Sequence, residues 1–193
     1  LWSRGLGDVY KRQAYAHQLK AAENRFAPLP LMDELKLEAK EAGLWNLFVP
    51  EEHAEYCDHG GLSFFDYAPL AEIMGRVIWC PEVFNCNAPD TGNMEVFMNY
   101  ATEAQQREWL DPLLAGDIRS SYAMTEPQVA SSDATNVELR IEQAGNEWVH
   151  NGHKWFITNA MYERTKILIV MGKSDPENPS RHLQQSQILV PKD

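Results

Sequence analysis

Cysteine is scarce in this 193-residue chain. Cys57, Cys80 and Cys86 are the only three, too few for a disulfide-built scaffold and odd in number, a pattern that suits free thiols in a reducing compartment. Basic residues are also under-represented: 17 Lys and Arg stand against 28 Asp and Glu, for a formal charge of −11. That balance argues against nucleic acid or an anionic membrane surface as the main partner, while leaving room for a local basic patch. No apolar run approaches the roughly 20 residues of a membrane span. Internal repeats and low-complexity tracts are absent as well. His53, Cys57 and His59 cluster beside Glu52 and Asp58. Their H-x3-C-x-H spacing is not a standard metal-ligand pattern and no second cluster completes it, so the stretch reads as a polar loop.

What remains is an ordinary globular composition, 44% apolar and 23% charged, with enough length for one domain or one and a half. Residues 1–13 do not match the rest; Arg4-Gly5-Leu6-Gly7-Asp8 lacks the strand and third glycine of a dinucleotide loop, and the segment is set aside as a non-native-looking leader. Helical signals follow. A short helix is expected over Ala14–Arg25. A firmer one, Leu31–Ala42, places Leu31, Leu35, Ala39 and Ala42 on one face and ends at Gly43. Ser63 and Asp66 open a helix to about Met74, nearly encircled by apolar residues and therefore expected to be buried on several sides. Thr91–Tyr100 carries a Met94, Phe97, Met98 stripe of core type. Thr102 and Gln105 form a capping box before a helix that ends at Gly116.

After Ile118 the period changes to two. Strands are expected near 119–125, 137–143, 147–150, 153–158, 166–171 and 186–190, with 166–171 apolar enough to be buried on both faces. Ser174–Ser180 reads as a loop.

Two motifs follow this change. The first is Tyr122-Ala123-Met124-Thr125-Glu126-Pro127, followed by Ser131-Ser132-Asp133. Pro127 forces a stiff turn, and Thr125, Ser131, Ser132 and Thr135 offer hydroxyls that both donate and accept. The second is Asn151-Gly152-His153-Lys154-Trp155-Phe156-Ile157-Thr158. Asn-Gly favours a type I′ turn, so a hairpin is expected here, with Phe156 and Thr158 on one face and Trp155 and Ile157 on the other. Taken alone, each motif also fits an ordinary strand end or amphipathic hairpin.

Together and in this order they resemble the acyl-CoA dehydrogenase family. The likeness runs from about Ala14 to Asp193, and the wording Ala88-Pro89-Asp90-Thr91-Gly92-Asn93-Met94-Glu95-Val96 is similar to the subgroup of family members ten and eleven. The resemblance implies an α+β fold: a helical N-terminal bundle over 14–119, then an incomplete antiparallel β-barrel or sandwich over 120–193, as a fragment of a longer enzyme. It implies FAD as cofactor, with Tyr122, Ala123, Met124 and Thr125 lining the flavin and Thr125 bonded to its pyrimidine side. Ser131 would meet the pyrophosphate and pass close to the acyl-CoA, and Phe156, Ile157 and Thr158 would stand beside the central ring, with Thr158 near N5. The implied reaction is α,β-dehydrogenation of an acyl-CoA, with an electron-transfer flavoprotein as acceptor and a homodimer or homotetramer as the assembly. The family's catalytic base lies in a later bundle, so no catalytic residue is named, and the chain alone is expected to bind flavin poorly.

Two departures stand out. Gln128-Val129-Ala130-Ser131 occupies the place where the family often has Gly-x-Gly-Ser, and Phe156 stands where Trp is usual. Alternatives are an oxidase or flavin monooxygenase on the same fold, or a non-catalytic helical binding module. The implied compartment is the cytoplasm of a bacterium, or a eukaryotic mitochondrion or peroxisome.

Overall fold

The computed structural model describes residues 2–192, with side chains from Val9 onward. The chain divides into a helical unit, running to Asp117 and including Tyr162–Arg164, and a sheet unit made of Ile118–Met161 and the chain from Thr165 on.

In the helical unit, α1 (Trp2–Ala21) starts well before the expected Ala14 and stops before Arg25. Asn24 turns the chain, its Oδ1 accepting the Phe26 N–H at 3.0 Å, a local bond that competes with helix. Helix α2 (Pro30–Glu41) buries Leu31, Met32, Leu35 and Ala39 as its periodicity requires. Ala42 falls at the C-cap and is exposed. Lys36 is buried on the same helix, neutralised by Glu82 at 2.8 Å. Ser63 caps α3 (Phe64–Met74) through the Asp66 N–H. The expected all-round burial of α3 is not found: Phe64 is 73% exposed, Phe65 88% and Ile73 57%, and Met74 is its one buried residue. An encircling apolar pattern says that a helix can be buried, not which sides find partners in this unit.

After α4 (Cys80–Val83), helix α5 (Asp90–Tyr100) sinks Met94, Phe97 and Met98 into the core. The Thr102–Gln105 capping box forms as expected and starts α6 (Glu103–Gln105), which continues through a widened π turn (Gln106–Leu110) into α7 (Asp111–Ala115). Pro112 has no N–H to return to the preceding turn, and the widening lies just before it. Gly116 ends the helix at φ 76°. The last carbonyls of α7 are then satisfied by side chains. The Leu114 carbonyl accepts from Trp45 Nε1 at 2.7 Å and Asn46 Nδ2 at 3.0 Å. Asn85 Nδ2 donates to the Leu113 carbonyl at 2.9 Å and to Asn46 Oδ1 at 2.7 Å. Lys40 Nζ donates to the Ala115 carbonyl at 2.6 Å. Asn46 and Asn85 sit at φ 58° and 54°, a region that asparagine tolerates better than most residues.

Among the described residues the sheet unit has five strands: β1 (Arg119–Ala123), β2 (Arg140–Ala144), β3 (Glu147–Asn151), β4 (Thr165–Lys173) and β5 (Gln185–Pro191). The helical-then-sheet order stands, but the sheet is mixed rather than antiparallel. β4 runs parallel to β1 and antiparallel to β5, and Lys173 at its end pairs in parallel with Arg140 of β2. A parallel β1–β4 pair requires a long crossover, and residues 124–164 supply it. β4 buries Ile167, Ile169 and Val170, as its apolar run suggests.

The expected hairpin is displaced. The tight turn joins β2 to β3 at Gly145-Asn146, where Ala144 pairs with Glu147 and Gly145 has φ 65°. Asn151-Gly152 is not the turn, and 153–158 is not a strand. Gly152 serves a close approach instead: a Cβ there would lie 2.8 Å from the Leu139 Cα. Phe156 at φ 50° and Asn159 at φ 67° break the extended geometry that a strand needs. β2 begins three residues later than expected because the Glu138 and Leu139 N–H groups bond a side chain rather than a ladder.

Gly152→Ala tests this packing role. Overpacking against Leu139 should destabilise the chain by about 1–3 kcal/mol in urea denaturation followed by far-UV circular dichroism. A neutral substitution would contradict the close approach.

Candidate functional site

The two sequence motifs meet around Glu126. Glu126 is 3% exposed. Its Oε2 accepts the Glu138 N–H at 2.6 Å, and its Oε1 accepts the Leu139 N–H at 2.9 Å and the Lys154 ammonium at 2.7 Å. Lys154 Nζ also donates to the Met124 carbonyl at 2.8 Å. Beside this tie the Trp155 N–H donates to the Thr125 carbonyl at 3.1 Å. The two motifs, some thirty residues apart in sequence, are thus stitched edge to edge. Burial alone pushes the Glu126 carboxyl up; Lys154 and the two backbone N–H groups outweigh it and hold it below the usual glutamate range. A carboxylate engaged at both oxygens fixes a turn and is poorly placed to remove a proton from a bound molecule, in keeping with the position of Glu126 before Pro127.

The eight residues implied by the resemblance fall into distinct environments. Ala123 is buried in the sheet core with Leu139, Ile141 and Val170, and Ile157 packs against the same cluster. Tyr122 is half-buried, its hydroxyl 3.7 Å from Met171 Sδ, and burial pushes its phenol up. Met124 is half-buried and gives its carbonyl to Lys154. Ser131 is buried; its hydroxyl accepts the Glu126 N–H at 2.9 Å and reaches the Val129 carbonyl at 3.4 Å. Thr125 and Thr158 are exposed. Phe156 is 83% exposed and its ring centroid lies 4.7 Å from that of Trp155, which is 41% exposed. Trp155 and Ile157 therefore do not share a face, because the segment that carries them is not a strand. Thr135 is turned inward: its hydroxyl and N–H both go to Asp133 Oδ1, which holds the Asp133 carboxyl below its usual range.

The backbone bond from Trp155 to Thr125 sets an exposed aromatic pair next to an exposed threonine. These are the properties that a planar, polar-edged ring system requires: apolar surface to cover and a donor–acceptor group at the rim. Sequence reasoning did not single out Lys154. The available signal was a lone lysine between a tight-turn dipeptide and an aromatic run, with an unpaired glutamate upstream.

Glu126→Gln tests the tie. The amide nitrogen must face either a backbone N–H or the Lys154 ammonium, donor against donor. At neutral pH the loss should be about 3–5 kcal/mol, as for a buried pair stripped of one charge. A depressed carboxyl contributes stability above its unfolded value, roughly 4.3, and loses it as pH falls through the folded value. The difference between parent and variant in chemical denaturation should therefore shrink in acid. A gap that is constant across pH would contradict the assignment.

Comparison with known proteins gives the family. The acyl-CoA dehydrogenase N-terminal domain model matches residues 10–117, and the acyl-CoA dehydrogenase middle domain model matches residues 121–193. Mouse acyl-CoA dehydrogenase family member 10 is 49% identical over 96% of this chain and 17% of its own length. Human acyl-CoA dehydrogenase family member 11 is 50% identical over 83% of this chain and 20% of its own length. A solved Mycobacterium abscessus chain assigned as an acyl-CoA dehydrogenase superposes with a TM-score of 0.84 at 48% identity, covering 94% of this chain and 45% of that one. A Mycobacterium smegmatis glutaryl-CoA dehydrogenase in complex with FADH2 shares the fold, with a TM-score of 0.58 at 22% identity over 83% of this chain and 37% of that one. The chain spans less than half the length of each of these relatives. On two domain matches in the family's own order, this chain belongs to the acyl-CoA dehydrogenase family.

Proposed function

We propose that this chain supplies the flavin wall of an FAD-dependent acyl-CoA dehydrogenase that converts an acyl-CoA thioester to its α,β-unsaturated form, with an electron-transfer flavoprotein as acceptor. The observation that carries the reading is the Trp155–Thr125 backbone bond, which unites the two motifs and leaves Trp155, Phe156 and Thr125 exposed. When bound, FAD supplies the hydride acceptor. The chain's own residues position and screen it. Phe156 and Trp155 offer apolar cover that excludes water from one side of the ring. Thr125 and Thr158 offer hydroxyl donors toward a ring edge that gains negative charge on reduction, where preorganised donors are most effective. Ile157 and Ala123 anchor those residues to the sheet core. The Ser131 hydroxyl is committed to the Glu126 turn, so its part in holding a pyrophosphate is to shape the 126–131 backbone. Proton abstraction is assigned to no residue of this chain.

A chimera tests the reading. This chain replaces the matched portion of the Mycobacterium abscessus relative, to which it is 48% identical. The chimera should bind FAD and lose visible flavin absorbance when an acyl-CoA is added. Thr125→Val or Phe156→Ala in it should each weaken FAD binding by about 1–2 kcal/mol, the scale of one hydrogen bond or one aromatic contact. FAD binding without acyl-CoA-dependent bleaching would overturn the proposed reaction, and unaltered affinity in both variants would overturn the proposed wall.

A further inference from the structure

The helical unit holds a cysteine–histidine pair at the edge of a cavity of about 510 Å³. Cys57 Sγ lies 3.7 Å from His59 Nδ1. The other ring nitrogen, Nε2, lies 3.1 Å from the Asn46 carbonyl. A carbonyl only accepts, so Nε2 carries the proton in the neutral ring and Nδ1 is left with a lone pair toward the thiol. The Gly61 N–H donates to Sγ at 3.2 Å, a contact that strengthens as negative charge builds on sulfur. The Ala54 carbonyl, also 3.7 Å from Sγ, is the competing acceptor for the thiol proton. It can receive that proton only as a hydrogen bond, whereas His59 can take it.

The geometry is held rather than incidental. A Pro50–Leu62 bridge closes the 51–61 loop, and the Leu62 N–H donates to the Val49 carbonyl at 3.0 Å. Gly61 sits at φ 80° with room for no Cβ, which would lie 2.6 Å from the Glu51 Cα. Cys57, His59 and the Gly61 N–H are therefore fixed against one another.

We propose that Cys57 is a histidine-assisted thiol that a neutral hydroperoxide oxidises to the sulfenic acid. Sulfur attacks one peroxide oxygen; the S–O bond forms and the O–O bond breaks. The thiol proton passes through His59 Nδ1 to the departing oxygen, which leaves as water or an alcohol. Sulfur loses two electrons and the peroxide gains them. Charge selects the oxidant class. Glu55, Asp58 and Asp111 line the cavity against Lys40 as its one lysine, and Lys40 is engaged by the Ala115 carbonyl and the Trp45 ring. An anionic disulfide or thiol is repelled there and a neutral peroxide is not. The other cysteines differ in setting. Cys86 is buried, bonded to the Phe84 carbonyl, and pushed up to about 11 by burial. Cys80 lines a separate, largely apolar cavity.

The test treats the full chain with hydrogen peroxide, traps sulfenic acid with a cyclic 1,3-diketone, and maps the adducts by mass spectrometry. Cys57 should be trapped about a hundredfold faster than Cys80 or more, the lower range of general-base assistance, and Cys86 only after denaturation. His59→Gln keeps hydrogen-bonding capacity but cannot take the proton. It should slow trapping at Cys57 by about the same factor while leaving Cys80 unchanged. Equal trapping at Cys57 and Cys80 in the parent chain overturns the proposal. So does an unchanged Cys57 rate in a His59→Gln variant whose Cys86 stays protected. Should Cys86 become reactive in that variant, it has unfolded, and the ordering in the parent chain decides.

Discussion

The buried pair between Glu126 and Lys154 is the constraint on which the site depends. Two backbone N–H groups and an ammonium converge on one carboxylate, and the same ammonium holds the Met124 carbonyl. A buried ion pair of this kind adds little net stability compared with apolar packing, but removing one member leaves the other stranded. Its value is therefore positional. It ends β1 at a defined point, delays the start of β2, and draws the Trp155 segment against Thr125.

That placement explains why an irregular segment carries the exposed aromatic rings. Ile157 goes into the sheet core while Phe156, its neighbour, stands outside at φ 50°. A regular strand would also send neighbours to opposite faces. It would, however, place Trp155 with Ile157 and spend its backbone on a ladder, not on the single bond to Thr125. The left-handed conformation at Phe156 costs of order 1–3 kcal/mol for a bulky residue. The surrounding contacts that offset it are the Lys154 tie before it and the Ile157 anchor after it.

Much of the helical unit was legible because its signals are local. The Leu31, Leu35, Ala39 face, the Met94, Phe97, Met98 stripe and the Thr102–Gln105 box all act within a few turns of one helix. The exposure of Phe64 and Phe65 was not legible, since it depends on what lies across from α3. In the sheet unit, strands β1 and β5 could be read from alternation and β4 from its apolar run, but their pairing could not: parallel β1–β4 contact depends on a crossover of about forty residues. Asn151-Gly152 misled for a physical reason. The dipeptide that suits a type I′ turn also supplies a residue without Cβ where the chain passes over Leu139, and composition does not separate these uses. Nothing in the identity of Phe156 announces a positive φ. The order and spacing of the two motifs nevertheless pointed to the family, because order survives where local conformation is misread.

The central claim is that the two motifs are locked together as one wall. Hydrogen exchange at the Trp155 amide measures that lock most directly, since this N–H has the Thr125 carbonyl as its partner. The account predicts slow exchange at Trp155, matching the amides of β4 and opening only with the sheet unit. Exchange as fast as that of an exposed loop amide, with the β4 amides still protected, would show that the two segments are not joined and would contradict it.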